Sequence, residues 1–273
     1  MGYGMTGIDI AFCTGLLKEV GDDLYAKFAE TRGTPPHDFE ELAQRFRQLN
    51  GQAEDAIRSA LQTNYPAIRW SDGEFDLEEQ RQTMRSGDYW ICDPMDGAFH
   101  FFQGFTFWST ALCLIRDGVP VFSAVYDPCH RELFHAVQGE GAYLNGVRIA
   151  AGKKQELKHA VVATSHSTLV SKDGTLVETI QGLSRVMSRS MITRMLGSVS
   201  LQLAYVASGR LDAYWEHGSD TFDWLPGALL VQEAGGTVTD TEGRPFGQGP
   251  GGIAAASRTL HPQLVAALQE EAV

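Results

Sequence analysis

Between Tyr89 and Val137 four runs of β-branched, aromatic and aliphatic residues follow one another, at 89–92, 105–115, 119–126 and 132–137. Turn-forming residues separate them, and Asp117-Gly118 between the second and third is a two-residue hairpin signal. Strands joined by connections this short pair antiparallel, because a parallel neighbour needs a long crossover. The block from Trp90 to Tyr143 therefore predicts an antiparallel sheet, and the rest of the chain must cover its faces.

The flanks supply that cover. Apolar residues recur at helical spacing from Ile8 to about Thr31 (Ile10, Cys13, Leu16, Leu17, Val20, Leu24, Phe28). Gly33-Thr34-Pro35-Pro36 breaks the pattern. Asp38 is a candidate N-cap with Glu41 as its capping-box partner, opening a second helix from Phe39 towards Leu61 with Phe39, Leu42, Phe46 and Leu49 on one face. The last third alternates: strand 160–165, helix 168–180, strand 186–192, helix 198–208, strand 211–215, helix 223–234, strands 237–240 and 253–256, helix 260–271. No repeat or linker divides the 273 residues, so one α/β (α+β layered) domain over 1–273 is expected.

Composition excludes several classes. A formal charge of −12 without a Lys/Arg cluster argues against a nucleic-acid partner. No run of about 18 apolar residues would span a bilayer. No basic segment precedes an apolar stretch at the N-terminus, so a secretory signal is not expected. Met1-Gly2 through Thr6 fits the loose myristoylation template, which we read as a chance match. Cys13, Cys92, Cys113 and Cys129 are scattered without metal or redox spacing, and reduced thiols in a cytoplasmic protein are expected.

Two segments carry chemistry. In Trp90-Ile91-Cys92-Asp93-Pro94-Met95-Asp96-Gly97-Ala98 an apolar strand delivers a carboxylate at its end. Pro94 turns the chain, a second carboxylate follows three residues later, and Gly97 permits an unusual backbone angle. Hard oxygens beside free backbone N–H groups suit Mg²⁺ and phosphate together. The same pattern also makes an ordinary turn. Asp223, ahead of a helix closed by Gly235-Gly236, is a candidate N-cap, which alone would explain it.

Taken together, Asp93-Pro94-Met95-Asp96-Gly97 and Asp223 through Glu233-Ala234-Gly235-Gly236 make the chain resemble the inositol monophosphatase family from about Tyr65 onward. The resemblance implies an αβαβα five-layer sandwich of the inositol-monophosphatase/fructose-bisphosphatase type. It also implies Mg²⁺-dependent hydrolysis of a small phosphate monoester by in-line attack of water, and homodimerisation is common in the family. By similarity, Asp93 would bridge two metals, the Met95 carbonyl would bind one of them, and Asp96 and Asp223 would hold the other. Gly97 and Ala98 would offer N–H groups to phosphate, and Arg194, Gly197, Ser198 and Glu216 would contact substrate.

Three departures stand out. Ala98 replaces the family's usual threonine, whose hydroxyl helps orient the attacking water. A gapless match puts Gly73 where a metal-binding glutamate is usual; a one-residue adjustment lets Glu74 serve, with Asp72 as second candidate. The family's early loop, with its Thr-Asp pair, is not recognisable between Arg32 and Asn50. Substrates open to such a chain include inositol, polyol, sugar and histidinol phosphates and 3′-phosphoadenosine 5′-phosphate. A phosphate-binding relative with impaired chemistry and a purely structural metal staple are the competing readings. The apolar Phe99, Phe101, Phe102, Phe105, Phe107 and Trp108 could serve either the core or a dimer interface.

Overall fold

The computed structural model describes residues 7–32, 34–72, 86–166, 175–246 and 251–269. The expected sheet is a meander. Strands β2 (Asp88–Asp96), β3 (Ser109–Arg116), β4 (Val119–Asp127), β5 (Glu132–Val137), β6 (Gly141–Leu144) and β7 (Val147–Arg148) pair antiparallel in chain order, and β1 (Arg69–Trp70) adds a parallel edge. Asp117 and Gly118 both take positive φ (49° and 79°), as a tight turn matched to strand twist requires.

Helices α1 (Ile10–Thr31) and α2 (Phe39–Asn64) cover the outer face. Their apolar stripe (Leu17, Leu24, Phe28, Ile57, Leu61) packs on Trp90, Leu112, Leu114 and Phe122. Asp38 caps α2 through the Glu41 N–H at 2.9 Å, while the Glu41 carboxylate reaches back to the His37 N–H. Phe39 does not join the expected stripe: it is the first residue of α2 and 66% exposed.

A second sheet has the order β11-β12-β10-β8-β9, built from β8 (Val161–Thr164), β9 (Ile192–Met195), β10 (Ala213–Glu216), β11 (Gly236–Thr239) and β12 (Ile253–Ser257). Helices α5 (Val199–Ala207) and α6 (Thr221–Glu233) lie between the sheets, touching β4 on one side and β12 on the other. Helices α4 (Thr175–Met187) and α7 (His261–Gln269) cover the far face through Val186, Leu264 and Leu268. The layers run α-β-α-β-α. A strand in such a sheet is buried on both faces, so β10 shows no polar alternation in its composition; Ala213 and Trp215 face α4 and α7, and Tyr214 faces α5 and α6.

Three local expectations are corrected. The segment 186–192 is not a strand: α4 continues to Met187 because Val186 is wholly buried on its inner face, and β9 starts only at Ile192. Residues 105–108 precede β3 rather than belonging to it, and a short helix α3 (Ala98–Gln103) stands before them. Phe101, Phe102 and Trp108 enter the core beside Phe28, whereas Phe99 and Phe105 are exposed. Pro94 does not end the strand, since β2 runs through it to Asp96 with a register shift between Asp93 and Asp96. No helix among the described residues is long and apolar enough to cross a membrane.

Candidate active site

Period-two geometry aims the first carboxylate. Tyr89 and Ile91 of β2 pack on Phe222 and Leu225 of α6, while Trp90 and Cys92 face α1 and α2. Asp93 continues the Tyr89–Ile91 series and so turns towards α6. That helix starts at Thr221 and is capped by Asp220, whose carboxylate accepts from the Phe222 N–H at 3.2 Å. Asp223 is therefore not the N-cap. It sits in the first turn of α6, with its carboxylate free to join Asp93.

The irregularity in β2 brings in the third carboxylate. One oxygen of Asp93 accepts the Met95 N–H at 2.9 Å, and the chain swings so that Asp96 pairs opposite Ser109 of β3. Gly97 then takes φ of 89°, and a Cβ there would lie 3.1 Å from Ser198, so only glycine fits comfortably. Asp93, Asp96 and Asp223 thereby offer oxygens that all lie within 4.8 Å of one another.

The start of α5 holds Asp96. Its Oδ1 accepts the Val199 N–H at 3.0 Å, and its Oδ2 accepts the Ser200 N–H at 2.7 Å and the Ser198 hydroxyl at 3.1 Å. The positive end of a helix favours such a charge. Burial nevertheless pushes the Asp96 carboxyl up to about 6. Asp223 is raised well above the ordinary carboxylate range, first by burial and then by the charges of Asp220, Asp96, Asp93 and Glu216. Clustered buried carboxylates repel one another unless a proton or a cation intervenes. A small, hard, oxygen-preferring cation fits this donor set.

Glu216 ends β10 on the same side as Tyr214. Its Oε2 accepts the Tyr214 hydroxyl at 2.7 Å and the Trp224 indole N–H at 2.8 Å, and burial raises its carboxyl to about 7. Gly197 and Ser198 form the turn into α5. A Cβ on Gly197 would come within 2.0 Å of the His100 Nδ1, so the His100 ring lies directly on this turn. Ala98 is the first residue of α3.

Other expected residues stand apart. Arg194 is exposed on the edge strand β9, its guanidinium donates to the Thr193 carbonyl, and no hydrogen bond joins it to the carboxylates among the described residues. Asp72 lies in an ion pair with Arg58 at 2.5 Å, and Glu74 and Gly73 lie outside the described residues. Ser109, Ser200, Tyr214 and Trp224 went unread in the sequence. Polar residues inside apolar strands (Ser109 in β3) and at the start of an apolar helix (Ser200 in α5) were the only available signal.

A layered sandwich with a three-carboxylate cluster able to hold a cation, two of its acids buried and Asp223 half-buried, fits the metal-dependent phosphate-ester hydrolases, and the comparisons agree. The sequence model of the inositol monophosphatase family matches residues 12–272. Inositol-1-monophosphatase of Rhizobium meliloti is 36% identical over 201 residues, 72% of each chain. The Nus factor SuhB of Pseudomonas aeruginosa is 35% identical over 199 residues, again 72% of each. The crystal structure of the extragenic suppressor protein SuhB from Bartonella henselae superposes with a TM-score of 0.80 at 28% identity, covering 96% of this chain and 98% of that one. The chain belongs to the inositol monophosphatase family, and with it to the phosphoric monoester hydrolases.

Proposed function

We propose that this enzyme hydrolyses a small polyol or sugar phosphate with Mg²⁺ as cofactor. The observation that carries this reading is the Asp93–Asp96–Asp223 cluster, buried at Asp93 and Asp96 and half-buried at Asp223, with Glu216 close enough to raise the titration of Asp223. Asp93, Asp96, Asp223 and the Met95 carbonyl would hold the metal, with Glu74 as the upstream ligand. Bound there, Mg²⁺ would neutralise phosphate oxygens, stabilise the leaving alkoxide and acidify water.

The chain's own groups do the rest. Backbone N–H groups of Gly97 and Ala98 would meet the phosphate, and the Gly197–Ser198 turn, packed against Gly97, would meet the substrate beside it. Glu74 takes the proton of the attacking water. The water oxygen bonds to phosphorus as the ester P–O bond breaks, and the leaving alcohol oxygen takes up a proton from solvent. Both donors to Glu216 fall on Oε2, which leaves Oε1 to accept a substrate hydroxyl. A polyol leaving group satisfies that oxygen; an apolar one leaves it buried and unpaired. Arg194 stands at the end of β9 leading into Leu196-Gly197 and would meet the substrate's outer face.

A panel of inositol, sugar, glycerol, histidinol and aryl phosphates plus 3′-phosphoadenosine 5′-phosphate tests the substrate class. We expect polyol esters to be preferred and Glu216→Gln to erode that preference mainly through KM. Equal rates on polyol and aryl esters, unchanged in Glu216→Gln, would remove the basis for it.

A further inference from the structure

Asp96 is gripped by more than the helix that caps it. Ser109 stands opposite Asp96 in the β2–β3 ladder, and its side chain is wholly buried. Its hydroxyl lies 2.9 Å from the Ser198 hydroxyl and 3.5 Å from Asp96 Oδ2. Ser198 is itself buried and held at φ of 37°, and it makes no side-chain cap to its own helix because its hydroxyl turns to Asp96.

Two hydroxyls at 2.9 Å share one proton between them, so one donates to the other and the second keeps a proton to place elsewhere. Only one order places both protons well. If Ser109 donates to Ser198, then Ser198 donates to Asp96 Oδ2 at 3.1 Å. The reverse order leaves Oδ2 only the 3.5 Å contact from a hydroxyl, at the limit of a hydrogen bond.

We propose that Ser109 is a positioning residue: through Ser198 it saturates Oδ2 of Asp96 and so presents Oδ1 to the metal. Oδ2 already accepts the Ser200 N–H, and with Ser198 both its lone pairs are spoken for, whereas among the described residues Oδ1 accepts from the Val199 N–H alone. Partners of this kind fix the orientation of a metal ligand. The inference rests on the metal-site reading above.

The test is a double-mutant cycle read by Mg²⁺ titration calorimetry on the intact chain, with melting temperatures of the metal-free proteins alongside. Ser109→Ala should weaken Mg²⁺ binding by about tenfold. Ser198→Ala should weaken it at least as much, and the double variant no further than Ser198→Ala alone. Ser109→Cys, a weaker donor, should fall between Ser109→Ala and the parent. The metal-free melting temperature of Ser109→Ala should stay near that of the parent, whereas a merely structural hydroxyl would lower it. Unchanged Mg²⁺ affinity in Ser109→Ala, or losses that add in the double variant, would overturn the relay. If the parent chain itself took up no Mg²⁺, the metal reading would fall and the relay with it.

Discussion

Replacing Asp223 by asparagine separates a metal ligand from a structural acid, because the two roles predict opposite signs of stability change. The three carboxylates have oxygens within 4.8 Å of one another. At that distance and an effective dielectric near 20, each pair of full charges repels by about 3.5 kcal/mol. Proton uptake relieves part of this, since Asp223 titrates well above its ordinary range. The relief left at pH 8 is on the order of 2 kcal/mol, or about 4–8 °C in melting temperature for a chain of this size. Metal-free Asp223→Asn should therefore melt higher than the parent. Mg²⁺ at 100 times its dissociation constant adds about 2.7 kcal/mol to a protein that binds it only when folded. The parent should gain that increment and the variant little of it, so the order of melting temperatures reverses. Differential scanning fluorimetry with and without Mg²⁺ reads both. A variant that melts lower without metal, and gains as much from Mg²⁺ as the parent, would refute the reasoning.

Other outcomes follow from the same geometry. Gly227→Ala places a Cβ 2.3 Å from Leu203 Cβ, where α6 crosses α5; a loss of about 1–3 kcal/mol in chemical denaturation is expected, with a fall in activity because α5 carries the donors to Asp96. Glu216, raised to about 7 by burial, keeps its proton in the folded state above the unfolded carboxylate range. The metal-free protein should accordingly lose stability as pH rises from about 4.5 to 7, and Glu216→Gln should flatten that slope in melting curves. Ala98→Thr restores a hydroxyl at the first residue of α3 and should raise kcat by about tenfold or more in a phosphate-release assay.

The sequence displayed the site where its residues are contiguous and hid it where the fold assembles it. Asp93, Asp96 and Gly97 stand within five positions, a pattern that an ordinary turn shares, and it was the second motif at Asp223 that set it apart. Asp223 was visible as an acid ahead of a helix, but the capping role that first accounts for it belongs to Asp220, and only the packing of α6 on Tyr89 and Ile91 shows why Asp223 points inward. Ser109 was illegible because nothing local distinguishes a strand serine facing solvent from one facing a carboxylate. The β3–β4 hairpin read cleanly, since its turn carries its own signal at Asp117-Gly118, whereas the start of β3 did not. The strand expected at 186–192 failed because Val186 and Ile192 suit either state locally, and burial of Val186 under β8–β10 decides for helix. Helix α3 was missed because its Ala-Phe-His-Phe-Phe-Gln stretch has little helical preference; Phe101 and Phe102 packing beside Phe28 and Trp108 hold it.

The most direct test of the account is phosphate release from an inositol or sugar phosphate as Mg²⁺ is titrated, run on the parent and on Asp93→Asn. Release should require Mg²⁺, saturate with it and be lost in the variant while its fold persists. Release that survives chelation, or that Asp93→Asn leaves intact, would contradict it.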